Sequence, residues 1–311
     1  MSLSRIDTLR AVDPVLSTIA QSYSNSSFMS ELLFPKVSVS KLKGKIPKFG
    51  KEAFYLREIN RAIGASSNRI SPADLVLIDF ETNERDVEMA IDYLEQEESS
   101  FYRRYENQVT KQLVDTIALK KEKEAADLTQ NTANFGAGMY ETITSGDAFN
   151  DYTLNKDPLV KIRAGISAIR AKIGRYPNTM LIGEATYKAL LDHPKILERI
   201  EFNGIKKANA DIIGSICDIE NVGVGLAVST TDGINFTDIW EDNIILAYVD
   251  KSDKKSEFIP SFGYTFQREG MPQVDTYFEN GGKIKVIRNT DNYALKITAN
   301  DAAYLIKNTN H

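Results

Sequence analysis

The sequence predicts an α+β fold in which a long helix, a β-hairpin and a compact mixed α/β region are joined by polar segments. Three observations predict it: about 30 residues with apolar side chains at helical spacing, two β-prone stretches on either side of a polar segment, and alternating helix and strand patterns after residue 157. With 311 residues the chain is long enough for about two domains. Its 42% hydrophobic and 26% charged residues are ordinary for a globular protein.

A short helix is predicted near the N-terminus. Its apolar positions recur at helical spacing at Leu9, Val12, Leu16 and Ile19. Pro14 is expected to interrupt the helix, and the polar stretch SYSNSS follows it. We therefore expect residues 1–40 to form an arm and not a domain.

Residues 41–93 are predicted to form one long two-stranded hairpin. The two extended stretches are KLKGKIPKFGKEAFYLREI and DLVLIDFETNERDVEMAIDYLE, and the polar segment NRAIGASSNRISPA separates them. A lone hairpin is marginally stable in water. No contiguous segment of the sequence covers its apolar side chains, which are Ile46, Phe49, Phe54, Leu56 and Ile59. The hairpin is therefore expected to lie against another surface.

Charge is distributed unevenly around this hairpin. From Lys36 to Arg69 there are nine basic and two acidic residues, a formal charge of +7, and from Asp74 to Glu98 there are ten acidic residues and one basic, a charge of −9. The two segments could fold onto each other as solvated faces of one subunit, or they could be complementary between neighbouring copies. The candidate inter-subunit residues are Lys43, Lys45, Lys48, Lys51, Phe49, Phe54, Glu81, Glu84 and Glu88.

A long amphipathic helix is predicted after the hairpin. Its apolar positions, at spacings of three and four, are Tyr102, Tyr105, Val109, Leu113 and Ile117. About 30 helical residues make a rod of roughly 45 Å. Ser99 or Ser100 is expected to cap it, and a loop-rich crossing follows up to residue 156.

A second domain is predicted from residue 157. Asp157 is expected to cap a helix with Pro158 at its first position and Gly174 at its end. The apolar stripe of this helix is Leu159, Ile162, Ile166, Ile169 and Ile173. The stretch YPNTMLIGEATYKALLDHPKILERI then predicts a turn, a buried strand and two helices, ANADIIGSICDI predicts a helix, and NVGVGLAV and NIILAYV predict strands. Residues 256–311 are strand-rich with a Gly-Gly turn.

Residue types that carry catalysis are scarce. Cys217, the single cysteine, has apolar neighbours that favour a small buried side chain, and His193 lies at a helix start where capping or packing is expected. Neither a zinc-ligand cluster nor a nucleotide-binding glycine motif is present in the sequence, so no metal or cofactor is expected.

The net charge of −5 argues against a protein that binds nucleic acid through a basic face. No apolar run is long enough to span a bilayer and no signal peptide is present, so we expect an intracellular protein without a membrane partner.

The order of these parts resembles the major capsid proteins of tailed bacteriophages, the family with the Hong Kong 97-type fold. The resemblance is carried by LLFPKVSV, GKIPKFG, EKEAADL, the YPNTMLIG unit, IENVGVGLAV, Trp240 before NIILAYV, PSFGYTF and DAAYLIKN, in that order. It implies an N-terminal arm (1–40) and an extended hairpin loop (41–93), both lying on neighbouring subunits. It further implies a peripheral domain with a spine helix (94–156), an axial domain (157–255) and a return to the peripheral domain (256–311).

The resemblance implies a coat protein that assembles as pentamers and hexamers into an icosahedral shell around double-stranded DNA, in the cytoplasm of the host bacterium. No enzymatic activity is expected. The N-terminal segment is too short for the internal scaffolding domain of some relatives, so the expected partners are a separate scaffolding protein, a portal and a possible decoration protein. We match no lysine and asparagine pair to a covalent crosslink. Two alternatives stay open: an encapsulin-type compartment shell, and a soluble hydrolase that uses carboxylates.

Overall fold

The computed structural model describes residues 12–47, 56, 59–61, 63–64, 66–68, 77–94, 102–154, 156–202, 208–252 and 260–310. The helices of these residues are α1 (Pro14–Ser22), α2 (Ser30–Leu33), α3 (Tyr102–Gln130), α4 (Pro158–Ile173), α5 (Glu184–Leu191), α6 (Pro194–Phe202) and α7 (Ala210–Cys217). The strands are β1 (Lys36–Val39), β2 (Lys43–Pro47), β3 (Leu77–Glu81), β4 (Asn83–Asp92), β5 (Tyr140–Thr142), β6 (Thr179–Gly183), β7 (Asn221–Gly225), β8 (Val228–Ser229), β9 (Thr237–Asp238), β10 (Ile244–Ala247), β11 (Gly263–Arg268), β12 (Gln273–Glu279), β13 (Ile284–Ile297) and β14 (Ala303–Lys307).

The first sheet is built on β13. This strand pairs antiparallel with β4, β12 and β11, and β1 pairs parallel with β11. All ten residues of β4 pair with β13, from Asn83 opposite Tyr293 to Asp92 opposite Ile284. The predicted second arm of the hairpin is therefore two strands, of which only β3 pairs with β2. The physical reason is that Val87, Met89 and Ile91 alternate along β4 and pack beneath α3.

Helix α3 is the predicted long helix, with 29 residues, and it lies across this sheet. Val109, Leu113 and Ile117 of the predicted apolar stripe are buried. Val109 and Leu113 pack in a cluster with Leu16 and Ala20 of α1 and with side chains of β4, β12 and β13. The expected caps, Ser99 and Ser100, fall outside the described residues.

The N-terminal helix differs from the prediction. Pro14 begins α1 and does not interrupt it, because the side chain of Asp13 caps the helix by accepting from the backbone N–H groups of Val15 (2.9 Å) and Leu16 (3.0 Å). The described part of the predicted arm packs on its own chain: α1 lies against β12 and α3, and β1 joins the first sheet. Leu9 lies outside the described residues.

The second sheet has the order β5-β14-β10-β6-β7. Every residue of β6 and β10 is buried, because helices pack on this sheet. Helix α4 is capped by Asp157 and ends at Gly174, whose φ of 69° is left-handed, as predicted. Ile166 of the predicted stripe is only partly buried, whereas Gly165 is buried where the helix approaches Tyr304 and Leu246 of the sheet.

The predicted domain limits follow the sheets only in part. Within residues 256–311, β11, β12 and β13 lie in the first sheet, but β14 pairs with β10 in the second. Within residues 94–156, α3 packs on the first sheet, but β5 pairs with β14. The cause is the short buried strand AYLI of β14, whose apolar residues complete the core between β5 and β10.

Candidate assembly surfaces

The base of the hairpin brings two oppositely charged pairs together within one chain. Lys43 lies opposite Glu81, and their side-chain N and O atoms are 2.6 Å apart. Lys45 lies opposite Asp79, at 3.8 Å. All four side chains are exposed, so these are solvent-screened surface pairs. The hypothesis that the charges fold onto each other within a subunit holds for these two pairs.

Aromatic packing anchors the hairpin base to the first sheet. Phe80 of β3 stacks on Phe266 of β11 with ring centroids 4.7 Å apart and an interplanar angle of 19°. Gly44 makes this possible, because a Cβ there would lie 2.5 Å from the ring of Phe80. The hairpin therefore has support from its own chain at its base, which the sequence did not reveal.

Beyond the base, the described apolar side chains of the hairpin have no cover from the described part of the chain. The relative exposure is 104% for Leu56, 81% for Ile59 and 106% for Ile63. Such values are those of an extended chain in water. The candidate residues Lys48, Phe49, Lys51 and Phe54 fall outside the described residues.

The other candidate acids lie on β4. Glu84 and Glu88 are exposed, and Asp86 between them is exposed too, so the three form one acidic stripe on the sheet face opposite α3. Glu88 accepts a hydrogen bond from the Tyr277 hydroxyl at 3.0 Å, and this raises the pKa of Tyr277. The period-two spacing of the stripe is visible in the sequence, although Asp86 was not among the predicted residues.

A buried carboxylate joins three parts of the chain. Glu122 of α3 accepts hydrogen bonds from the indole Nε1 of Trp240 and from the backbone N–H groups of Met29 and Ser30, each at 2.7 Å. Both Glu122 and Trp240 are fully buried. The carboxylate therefore holds the N-terminal segment and the segment before β10 against the long helix. No sequence signal links residues 118 positions apart, so this junction was missed.

Next to this junction, α3 buries a second charge. Desolvation lowers the pKa of the Lys121 ammonium, and the neighbouring carboxylate of Glu31, 3.5 Å away, partly opposes this shift. Two cations lie near the ring of Tyr293: the Nζ of Lys121 is 5.7 Å from the ring centroid, and the guanidinium of Arg85 is 3.9 Å from it. The polar side of α3 thus packs inward here, although a stripe of apolar residues alone predicted its buried face.

The two side chains considered for nucleophilic chemistry have packing roles. Cys217 is buried, and burial raises the pKa of its thiol to about 11. His193 is also buried; its Nδ1 accepts from the backbone N–H of Lys195 at 3.2 Å, and desolvation lowers its pKa. His193 therefore caps the start of α6 as predicted.

The described residues hold neither a cluster of metal ligands nor a membrane-spanning helix. No group of three or more His, Cys, Asp or Glu side chains in this part of the chain could hold a metal ion. Among the helices of the same residues, none combines the length and hydropathy needed to cross a membrane.

Comparison with known proteins places these surfaces in context. The family model described as "Phage major capsid protein E" matches residues 19–279. The chain is 40% identical over 311 residues to the major capsid protein of Burkholderia phage BcepMu, covering 99% of this chain and 100% of that one. A crystal structure of a phage-related protein from Bordetella bronchiseptica RB50 is similar with a TM-score of 0.81 and 28% identity, over 96% of this chain and 98% of that chain. The bacteriophage PhiM1 mature capsid has a similar fold, with a TM-score of 0.55 and 12% identity over 93% and 89% of the two chains.

Proposed function

Because the chain belongs to the phage major capsid protein E family, we propose that it is the coat subunit whose copies form the icosahedral head shell of a tailed bacteriophage around double-stranded DNA. The chain is a structural protein of the phage capsid with the Hong Kong 97-type fold. Its shell is assembled from many copies. Pentamers and hexamers are the proposed building units.

The observation that carries this proposal is the exposed apolar part of the hairpin. Leu56, Ile59 and Ile63 leave apolar surface in water, and each would contribute about 1.5–3 kcal/mol if it were fully buried. A subunit gains this energy only when another surface covers the hairpin. A neighbouring copy is the surface that a shell supplies at every position, so we propose that the hairpin loop lies across the adjacent subunit.

Charge indicates which surface of the neighbouring copy the hairpin contacts. The acidic stripe of Glu84, Asp86 and Glu88 is exposed on one sheet face, and the hairpin segment between β2 and β3 contains several basic residues. We propose that this segment, including Lys48, Phe49, Lys51 and Phe54, contacts the stripe of the next copy. Lys43, Lys45 and Glu81 contribute less, because they already form pairs with each other or with Asp79 within the chain.

Membership of the capsid protein family is also the basis for proposing roles for the parts of the subunit and for its partners. The hairpin and residues 1–11 of the N-terminal arm serve contacts between subunits, the first sheet with α3 forms the peripheral part of the subunit, and the second sheet forms the axial part. Assembly takes place in the host bacterial cytoplasm with a separate scaffolding protein, a portal and a decoration protein. DNA is enclosed without sequence-specific binding, which agrees with the net charge of −5.

We propose a structural role without catalysis and without a cofactor. Burial removes Cys217 and His193 from chemistry with a substrate, since the thiol is held protonated at neutral pH and the imidazole Nδ1 accepts a backbone hydrogen bond. An encapsulin-type compartment would share the fold. The identity of 40% to a phage major capsid protein along the whole chain favours the phage shell over that alternative.

The test is to replace residues 48–76 with a short Gly-Ser turn that closes β2 onto β3. We expect a folded, soluble subunit that no longer forms shells, because the deleted part acts between copies. Electron microscopy and light scattering measure assembly, and the fluorescence of Trp240 measures cooperative unfolding. Shells of normal size from this variant would contradict the proposal. Loss of cooperative unfolding would instead show that the hairpin belongs to the core of its own subunit.

A further inference from the structure

Helix α4 carries basic side chains in a stretch of the sequence that contains no acid. From Pro158 to Gly183 there are five basic residues and no acidic residue, the longest stretch without an acid in this chain. The net charge of −5 is a sum over all 311 residues and does not describe the electric field at one surface. A positive field is therefore expected along α4.

Four of these five basic side chains form no ion pair within the part of the chain that the structure describes. Lys161 is the exception, because it pairs with Glu141 and Asp147. Of the other four, Lys172 is half-buried. The remaining three are exposed, and we call them the α4 basic surface: Arg163, Arg170 and Arg175.

Small side chains separate the arginines on the exposed side of α4. Arg163 and Arg170 are seven residues apart, close to two helical turns, so they lie on the same side of the helix about 10 Å apart along its axis. The exposed positions between them are Ala164 and Ser167, and Ala171 follows. A large partner can therefore approach both guanidinium groups without meeting a bulky side chain.

Among the described residues, tyrosine rings and not carboxylates hold two of the arginines. The guanidinium carbon of Arg170 is 4.9 Å from the ring centroid of Tyr176, and that of Arg175 is 5.4 Å from the ring centroid of Tyr248. Arg175 also donates a hydrogen bond from Nη1 to the Tyr248 hydroxyl, at 2.9 Å. An aromatic ring orients a guanidinium group without cancelling its formal charge. The two positive charges are thus held in position and stay available to an anion.

Two other arginines show the difference. Arg85 and Arg288 also lie near tyrosine rings, but each pairs with a carboxylate. Arg85 pairs with Glu124 at 2.9 Å, and Arg288 pairs with Asp275 at 2.6 Å. Their charges are compensated within the chain. The α4 basic surface has no such compensation from the described acids, so its charges are left for an anion outside the subunit.

The anion that fits this surface best is a phosphate backbone. A guanidinium group binds a phosphate through two parallel hydrogen bonds. Double-stranded DNA presents one phosphate charge about every 1.7 Å along its axis, so a row of arginines meets phosphates wherever it lies on the duplex. An acidic protein fits less well. The centre of a protein interface is usually rich in large apolar side chains, whereas Ala164 and Ser167 lie between these arginines.

We propose that the α4 basic surface binds phosphate groups of the double-stranded DNA enclosed by the shell, so that the exposed side of α4 faces the interior. The inference rests on the proposed function and adds to it the surface through which the coat contacts its contents. Phosphate contacts carry no sequence information, as enclosure of DNA of any sequence requires. A single copy binds weakly through these few arginines, and repetition of the contact over the shell strengthens it.

Binding of DNA by the unassembled full-length chain tests the proposal. The probe is a short fluorescent duplex of random sequence, and fluorescence anisotropy measures its affinity at several salt concentrations. The variant combines Arg163→Gln, Arg170→Gln and Arg175→Gln. We expect its affinity at low salt to be at least about tenfold lower than that of the wild type. The slope of log affinity against log salt should become shallower by about 2–3, because each phosphate contact contributes about 0.9.

A second triple variant removes the same charge elsewhere. Lys111, Lys120 and Lys283 are exposed and form no ion pair with any residue that the structure describes. Their replacement by Gln should change the affinity by less than about twofold and leave the salt dependence nearly unchanged. Equal losses in the two triple variants would show that binding follows net charge alone and would overturn the inference. A wild-type chain that does not bind the duplex at low salt would overturn it as well.

Assembly separates contact with DNA from contact between copies. We expect the triple arginine variant to form DNA-free shells as the wild type does, which electron microscopy measures. Loss of shells in this variant, with a circular dichroism spectrum like that of the wild type, would show that the surface binds a protein and would overturn the inference. Failure of the wild-type chain itself to form shells, with or without scaffold, would refute the coat function even where the free chain binds the duplex.

A thiol at position 167 tests which side of the shell α4 faces. Ser167→Cys places the thiol among the arginines, and the reagent is a maleimide on a polyethylene glycol too large to pass through the shell. It should react with the unassembled variant and not with closed shells. Cys217 is buried and the pKa of its thiol is raised to about 11, which keeps the background low, and the wild type measures that background. Reaction of closed shells would place the exposed side of α4 on the outer surface and overturn the inference.

Discussion

The second sheet and the hairpin between β2 and β3 use the same apolar residue types in opposite ways. In β6 and β10 every side chain is buried, and the core of this region closes without any partner. In the hairpin, Leu56, Ile59 and Ile63 are as exposed as in an unfolded chain. At its base, Phe80 and Ile46 pack with the aromatic side chains of the first sheet. The first arrangement stabilises the subunit, and the second can stabilise only a contact with something else. A substitution should therefore affect folding in one region and assembly in the other.

The largest effect is expected in the core of the second sheet region. Ile162→Asp places a carboxylate among fully buried side chains of α4, where desolvation should cost on the order of 4 kcal/mol or more. That is comparable with the whole stability of a typical domain, so the chain should fail to fold. Circular dichroism and Trp240 fluorescence of the purified protein measure the outcome.

Ser167→Asp is the matched control, because Ser167 lies on the exposed face of the same helix. It should unfold within about 0.5 kcal/mol of the wild type. Lys161 is unsuitable as a control, since it forms ion pairs with Glu141 and Asp147. If Ile162→Asp folds as well as Ser167→Asp, the buried face of α4 is assigned incorrectly.

A smaller effect is expected at the Glu122 junction. Glu122→Gln replaces a carboxylate that accepts three hydrogen bonds with an amide that can accept fewer, which leaves a buried donor unpaired. We expect a loss of about 2–3 kcal/mol in the free energy of unfolding. Denaturant titration followed by the fluorescence of Trp240, the single tryptophan, measures it.

Asp127→Asn on the same helix provides the comparison. Asp127 is exposed and pairs with Lys123 one turn earlier, so its loss should change the free energy of unfolding by less than about 0.5 kcal/mol. Equal stabilities for the two variants would mean that the junction is weak. The N-terminal segment would then depend on the packing of α1, on the buried side chains of Leu33 and Phe34, and on the pairing of β1 with β11.

The smallest effect on the subunit is expected from the basic part of the hairpin. Reversal of Lys48 and Lys51 to Glu should block assembly at low salt, with little change in the melting temperature of the unassembled protein, because contacts between copies are repeated across a shell. Light scattering at several salt concentrations measures assembly. Co-expressed subunits with Glu84, Asp86 and Glu88 reversed to Lys should restore part of it.

The in-chain pair supplies the control for this reversal. Exchange of Lys43 and Glu81 for each other keeps their ion pair and the net charge, so assembly should remain normal. Normal shells from the Lys48 and Lys51 variant at low salt would show that this basic segment is only a solvated face.

Local sequence rules predicted much of the fold. Asp157, Pro158 and Gly174 defined α4 almost to the residue, because a cap, a fixed φ and a left-handed end are properties of a few adjacent residues. The division of β3 from β4 was missed, since pairing with β13 depends on a strand about 200 positions later in the sequence. The position of β14 was missed for the same reason.

The candidate surfaces were predictable to a smaller extent. The sequence shows the signs of the charges and the lack of a segment that covers the apolar side chains of the hairpin. It does not show whether the charged side chains pair within one subunit or between subunits, because that depends on which residues are neighbours in space. Lys43 with Glu81 is a pair within the chain, and the inter-subunit role of Glu84 and Glu88 stays a prediction. The buried hydrogen bond between Trp240 and Glu122 joins residues 118 positions apart, and no repeating pattern in the sequence indicates it.

The Glu122 junction also has a consequence for how this sequence can diverge. Two of its three donors are backbone N–H groups, those of Met29 and Ser30, which every residue except proline possesses. The hydrogen bonds that attach the N-terminal segment therefore do not use the side chains at positions 29 and 30. They depend on the side chain at position 122, within the long helix. Related chains could differ at positions 29 and 30 and still keep these two hydrogen bonds, so sequence alignment of those positions would underestimate how firmly the segment is held.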